Sequence, residues 1–149
     1  MLNDTAVSEI MTHYLITVTP TTTLDKVNEI FEHHDFHHLP VVEGTRLEGI
    51  ISRSDVDRVS SCVDLFHTKA NELYNEKLFK SLLAEEVMTP KAVVLAPDDS
   101  IGYAATLFAR NTFHALPVVV GEKLVGMITT FDLIEYMFNT KLKPVPLSE

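Results

Sequence analysis

The chain has 149 residues and a formal charge of −9, from 12 Lys plus Arg against 21 Asp plus Glu. That balance works against non-specific nucleic-acid binding and against docking on an anionic membrane surface, both of which need a basic face. Apolar residues at 46% and charged residues at 22% exclude a disordered chain and give enough core for independent folding.

In chain order, Leu15-Ile16-Thr17-Val18-Thr19 predicts a short strand, stopped by Pro20. Leu24, Val27, Ile30 and Phe31 then fall on one helical face, and Thr22 with Asp25 three residues on has capping-box spacing. Leu39–Val42 and Leu47–Ile51 flank the turn Glu43-Gly44-Thr45 and predict a hairpin. A helix is expected from Asp55. Over residues 57–83, Val59, Val63, Phe66, Ala70 and Leu73 recur at spacings of three and four. This predicts one long amphipathic helix or two, serving as a connector packed on the sheets or as a partner-binding surface. Ala92–Leu95 predicts a second short strand, stopped by Pro97. A helix follows with Ile101, Ala104, Ala105 and Phe108 on its face and Asp98 as N-cap. Leu116–Val120 and Leu124–Ile128 form a hairpin about Gly121-Glu122-Lys123, and a last helix is expected from Asp132. Lys141–Leu147 has two prolines and no period, so a frayed tail is expected.

These elements occur twice. Shifting the chain by 77 positions lays residues 11–56 on 88–133 without a gap, and 15 of the 46 columns are identical, among them His37/His114, Gly49/Gly126 and Asp55/Asp132. Chance gives about one match in twenty columns. The expected architecture is α+β: two β-α-β-β-α subdomains related by a pseudo-twofold axis, with a helical connector. The expected divisions are 1–60, the connector 61–83, 84–140 and the tail 141–149.

The segments VSEIMTHYLITVTPTTTL and HHLPVVEGTRLEGIISRSD, with AEEVMTPKAVVLAPDDSI and HALPVVVGEKLVGMITTFD in the second copy, carry a family resemblance. Each copy resembles a CBS domain, and the tandem resembles a CBS pair, or Bateman module. The resemblance covers nearly the whole chain apart from connector and tail. It implies a regulatory module rather than an enzyme, binding an adenosine-containing ligand (AMP, ADP, ATP, S-adenosylmethionine or a dinucleotide) in clefts between the paired copies. It also implies association into a homodimer.

The residues agree with a phosphate and ribose site where strand gives way to helix. A helix N-terminus offers unpaired N–H groups and partial positive charge. Ser52-x-x-Asp55 and Thr129-x-x-Asp132 put a hydroxyl and a carboxylate there. The carboxylate can accept two hydrogen bonds from a ribose diol, and the hydroxyl can donate to phosphate. The same spacing also makes a capping box that needs no ligand. By resemblance, Asp55 and Asp132 hold ribose, with Ser52 and Thr129 in the adjoining polar role. Arg53 offers a fork of donors to phosphate oxygens, or is a solvated surface arginine. Thr130, its counterpart, carries no charge, so the two sites are not equivalent. By resemblance, His37, His38, His114 and Ala115 occupy positions facing phosphate. The adenine is expected on apolar backbone at His13, Tyr14 and Ile16, and at Lys91, Ala92 and Val93; Lys91 could instead reach phosphate.

Other chemistries find less support. The run Glu32-His33-His34-Asp35-Phe36-His37-His38 holds good metal ligands, but adjacent pairs across a helix end point in different directions, and no metal is expected. Cys62 is the only cysteine, so neither an intrachain disulfide nor a cysteine-based zinc site can form. No nucleophile motif or Gly-rich phosphate loop occurs. The N-terminus lacks secretory-signal features, and no apolar run approaches the roughly 20 residues of a spanning helix, so a cytoplasmic location is expected. With no output domain in the chain, signalling would act in trans on a protein target that the sequence does not name. Ile134, Met137 and Phe138 form an apolar stripe, either dimer surface or internal core. The rival to nucleotide sensing is a ligand-free dimerisation or protein-interaction module.

Overall fold

The computed structural model describes residues 4–61 and 68–138. It is a mixed helix and sheet structure of two compact units: Tyr14–Val93 with Gly121–Leu124, and Met1–His13 with Val94–Val120 and Val125–Glu149.

In the unit containing the first copy, α1 (Leu24–His33) leads to the antiparallel hairpin β1 (His38–Glu43) and β2 (Arg46–Ser52). Gly44 turns the hairpin with φ 63, a left-handed conformation that glycine adopts without steric cost. No residue separates β2 from α2 (Arg53–Ser61). Then come α3 (Lys69–Ser81), α4 (Ala84–Val87) and the two-residue β3 (Thr89–Pro90), which pairs with β2 through Gly49 and Ile50. Leu24, Val27 and Phe31 of α1 meet Leu39, Val41 and Ile51 of the hairpin in a buried core, which Val18, Val56 and Ala84 complete. The other unit holds α5 (Ile101–Arg110), β4 (Ala115–Val120), β5 (Lys123–Thr129) and α6 (Thr130–Phe138); Lys123 and Leu124 of β5 fall in the first unit. Its core joins Leu95, Ile101, Ala104 and Phe108 to Leu116, Val118, Ile128 and Leu133.

Each core is finished by the opening segment of the opposite copy. Val7 and Met11 lie in the second-copy core, and Ala84, with Val87 and Met88 packed beside it, in the first-copy core. The fit depends on two glycines. A Cβ on Gly126 would stand 2.6 Å from Met11 Sδ, and one on Gly49 would stand 2.7 Å from Met88 Sδ and 2.6 Å from the Thr89 carbonyl.

Several local expectations are corrected. Leu15–Thr19 and Ala92–Leu95 are not strands; each contributes one parallel bridge, Val18 to Val41 and Leu95 to Val118. Val18 N–H donates to Pro40 O and Val42 N–H to Val18 O; Leu95 repeats this with Pro117 and Val119. Continuing either ladder toward the N-terminus would require an N–H from Pro40 or Pro117, which proline lacks. The Thr22–Asp25 box does not form. Thr23 is the N-cap of α1, Thr22 Oγ1 accepts from Thr19 N–H (3.0 Å), and the first helical N–H, of Leu24, is taken by Leu82 O (2.9 Å). Ser100 rather than Asp98 caps α5, accepting from Tyr103 N–H (3.1 Å). Ala105 is exposed, and Leu107 packs against the core in its place. The second helices begin at Arg53 and Thr130, two residues before the acids. The connector residues described form two helices. Ala70 and Leu73 are exposed, whereas Phe79 and Leu82 pack on the core. Cys62, Val63, Phe66 and the tail 141–149 lie outside the described residues.

Candidate functional site

The strand-to-helix junctions carry the same construction in both copies. At the first, Ser52 N–H donates to Asp55 Oδ2 (2.8 Å) and Asp55 N–H donates to Ser52 Oγ (3.1 Å). At the second, Thr129 N–H (2.6 Å) and Thr129 Oγ1 (2.8 Å) both donate to Asp132 Oδ2, while Asp132 N–H donates back to Thr129 Oγ1 (3.3 Å). These are reciprocal capping boxes with Asp where Glu is usual. The next N–H of each helix is also taken: Arg53 N–H by His37 O (2.8 Å) and Thr130 N–H by His114 O (3.2 Å). The cap fixes Oδ2 of each acid on the main chain and so orients Oδ1.

His37, Ser52, Arg53 and Asp55 are thus brought together, as are His114, Thr129, Thr130 and Asp132. His38 lies across from Ser52 in the β1–β2 register, and Ala115 opens β4 and is buried. The His37 and His114 side chains are exposed, and it is their carbonyls that hold the helix starts. His13, Tyr14, Ile16, Lys91, Ala92 and Val93 lie in the segments before the first helix of each copy, and among the described residues no hydrogen bond joins them to the acids. Tyr14 is 98% exposed, and Lys91 takes φ 50, the only positive φ of a non-glycine among the described residues. Tyr14–Thr17 and Lys91–Val94 make no main-chain hydrogen bonds among the described residues, so their backbone groups are available to the edge of a base.

Arg53 departs from a solvated arginine. Its guanidinium folds back onto the C-terminal end of α1, where Nη2 donates to the carbonyls of Phe31, His34 (2.9 Å) and Phe36 (3.3 Å). Its Cζ stands 5.3 Å from the Phe31 ring centroid. The carbonyls at a helix end lack intrahelical partners and carry partial negative charge, so this charge serves the fold.

Two residues missed in the sequence reading bear on the acids. Arg58, on α2, forms an ion pair with Asp55 Oδ1. Its repeat counterpart, 77 positions on, is Glu135. The reversal of sign appears only when the same 77-residue shift is carried two residues past the end of the repeat alignment. Burial pushes the Asp132 carboxyl above its ordinary value; the hydrogen bonds from Thr129 oppose this, and the charge of Glu135 adds to it.

A folded-state value raised above the unfolded one favours the fold below pH 3.8, and that contribution is lost as pH rises through the raised value. Asp132→Asn keeps an acceptor for Thr129 N–H without the buried charge. At pH 7 its melting temperature is expected at or above that of the wild type, with the gap closing as pH falls toward 3.8. A variant less stable than wild type at pH 7 would contradict this. Melts recorded between about pH 3 and pH 8 decide it.

Among the described residues, no three His, Cys, Asp or Glu side chains gather as metal ligands would, and no helix is long and apolar enough to cross a membrane.

Comparison with known proteins agrees with this duplicated construction. The CBS domain family model matches residues 7–61 and 84–139. The A-adding tRNA nucleotidyltransferase of Geobacter sulfurreducens is 30% identical over 132 residues, covering 89% of this chain and 13% of the enzyme. The chain spans less than half of the first curated relatives, 13%, 46% and 23% of their lengths. Among solved structures, the CBS domain of a CBS-domain-containing membrane protein from Sphaerobacter thermophilus is 30% identical with a TM-score of 0.75, covering 90% of this chain and 88% of that one. CBSX2 of Arabidopsis thaliana, solved in complex with AMP, is 25% identical with a TM-score of 0.74, covering 90% of this chain and 96% of that one. With two matches that together span most of its length, this chain belongs to the CBS domain family as a tandem pair.

Proposed function

We propose that the chain is a regulatory, non-catalytic module that binds an adenosine-containing ligand at its strand-to-helix junctions, with AMP preferred and ADP or ATP next. The observation that carries this reading is the repeated hydroxyl-x-x-Asp junction, in which the helix's own cap pre-orients a carboxylate oxygen for a sugar diol. Likeness to CBSX2, solved with AMP, supports the ligand class. In this reading Asp55 and Asp132 hold ribose, and Ser52 and Thr129 support them. His37, His38 and His114 line the phosphate side beside Ala115 and Thr130. The unbonded main chain around His13, Tyr14 and Ile16, and around Lys91, Ala92 and Val93, receives the base. Arg53 acts by holding the loop before β1 rather than by meeting phosphate. Ligand binding then shifts a conformational equilibrium that a partner protein or a second copy reads in trans.

Self-association is favoured by α6, where Phe131 and Ile134 are exposed and Met137 and Phe138 are 71% and 70% exposed. Among the described residues no core covers that stripe, which suits a homodimer contact.

Calorimetric titration with AMP, ATP and S-adenosylmethionine tests the reading, on wild type and on Asp55→Ala and Asp132→Ala. AMP is expected to bind tightest, and at least one substitution should weaken it about tenfold, the loss of roughly one charged hydrogen bond. AMP at a hundred times its Kd should also stabilise the fold by about 2.7 kcal/mol. A melting temperature unmoved by every adenosine compound would leave the interaction module as the correct description.

A further inference from the structure

We propose that the charge three residues beyond each acid, Arg58 in the first copy and Glu135 in the second, sets the order in which the two acids take up a sugar: Arg58 closes Asp55, and Asp132 stays open. This rests on the reading that the acids hold ribose. Asp55 has both carboxylate oxygens engaged, Oδ2 by Ser52 N–H and Oδ1 by the Arg58 guanidinium. The Asp55 side chain is only 13% exposed, while that of Arg58, paired with the acid's Oδ1, is 74% exposed. A diol approaching Oδ1 must displace the arginine.

At Asp132 the cap occupies Oδ2 in the same way, with Thr129 supplying two donors. Among the described residues no cation sits on its Oδ1. The equivalent of Arg58 is itself an acid, Glu135, whose charge opposes that of Asp132. The two junctions therefore share one backbone design and differ in the sign of a single side chain one helical turn on. Exposed ion pairs are weak, so Arg58 grades the first junction rather than abolishing it. The difference expected from this pair is about 1.5- to 5-fold in affinity.

Adenosine is the probe of choice, because without phosphate it cannot gain from the arginine's charge. Calorimetry on the chain should give two binding events, the tighter weakened about tenfold by Asp132→Ala. Arg58→Gln should tighten the weaker step about 2- to 5-fold. Glu135→Arg should weaken the tighter step by a similar factor. If Arg58→Gln instead weakens AMP while leaving adenosine unchanged, Arg58 is a phosphate ligand and the proposal is overturned. A urea double-mutant cycle between Arg58→Gln and Asp55→Asn checks the latch without ligand, and zero coupling overturns it. Coupling in that cycle, with neither adenosine nor AMP bound by any variant, refutes the sugar-binding reading itself and with it the order of filling.

Discussion

Gly49→Ala should lower the stability of the protein by about 2 kcal/mol, while Gly126→Ala should cost about half as much. A glycine-to-alanine change at a conformation open to alanine gains about 0.4–1 kcal/mol by restricting the unfolded chain, and neither glycine has a positive φ. The clash has to exceed that gain. At Gly49 the new methyl meets the Thr89 carbonyl at 2.6 Å, and that carbonyl belongs to β3, held against β2 at this point. Backbone paired in a sheet cannot step aside without losing its ladder. At Gly126 the obstacle is the Met11 side chain, whose Sδ, Cε and Cγ lie at 2.6–3.0 Å, and an unbranched thioether can change rotamer. In a chain of this size the Gly49 variant should melt about 4–8 °C lower. Adding Met11→Leu should cost less in the Gly126→Ala background than in the wild type, since the contact is already disturbed. Equal stability of Gly49→Ala and wild type would mean that β3 does not hold this position.

Arg53→Ala should cost about 2–3 kcal/mol, with Arg53→Lys recovering little and Thr130→Ala changing stability by less than about 0.5 kcal/mol. The guanidinium answers three carbonyls around the end of α1 and covers the Phe31 ring. Removing it strips partners from carbonyls at a helix terminus and exposes an aromatic face in the core. A lysine carries the charge but not the planar fork that reaches several oxygens at once. Urea unfolding followed by circular dichroism measures each value. An Arg53→Ala protein of wild-type stability that had lost only its affinity for AMP would return Arg53 to the phosphate.

The duplication made much of this molecule readable. Both hairpins and their turns, the apolar face of α1 and the acids beside a helix start were all legible, because periodicity and the 77-residue register report on local structure. The acids were legible as a position but not as a geometry, since Ser52-x-x-Asp55 has the same spacing whether it caps a helix or awaits a sugar, and the structure has the cap formed. The two opening strands were overread because β-branched residues favour pairing, whereas Pro40 and Pro117, distant in sequence, withhold the donor that pairing needs. Arg53 reads as a basic residue at a phosphate-binding helix start, but its tertiary partners lie seventeen to twenty-two residues earlier. That Met11 and Met88 are knobs for Gly126 and Gly49 was hidden for a similar reason: the identical columns align each methionine with the other, not with the glycine it touches.

The crossed use of the opening segments has a bearing on how the chain is born. A ribosome releases residues in order, at about 5–20 per second. Ala84 and Met88, which close the first core, emerge only after all of its hairpin. Val7 and Met11 wait longer still: their partners Ile128 and Leu133 are made more than a hundred residues later, about 6 s at the fastest of those speeds and more than about 20 s at the slowest. Two apolar side chains made long before their core must wait for it to find shelter from water.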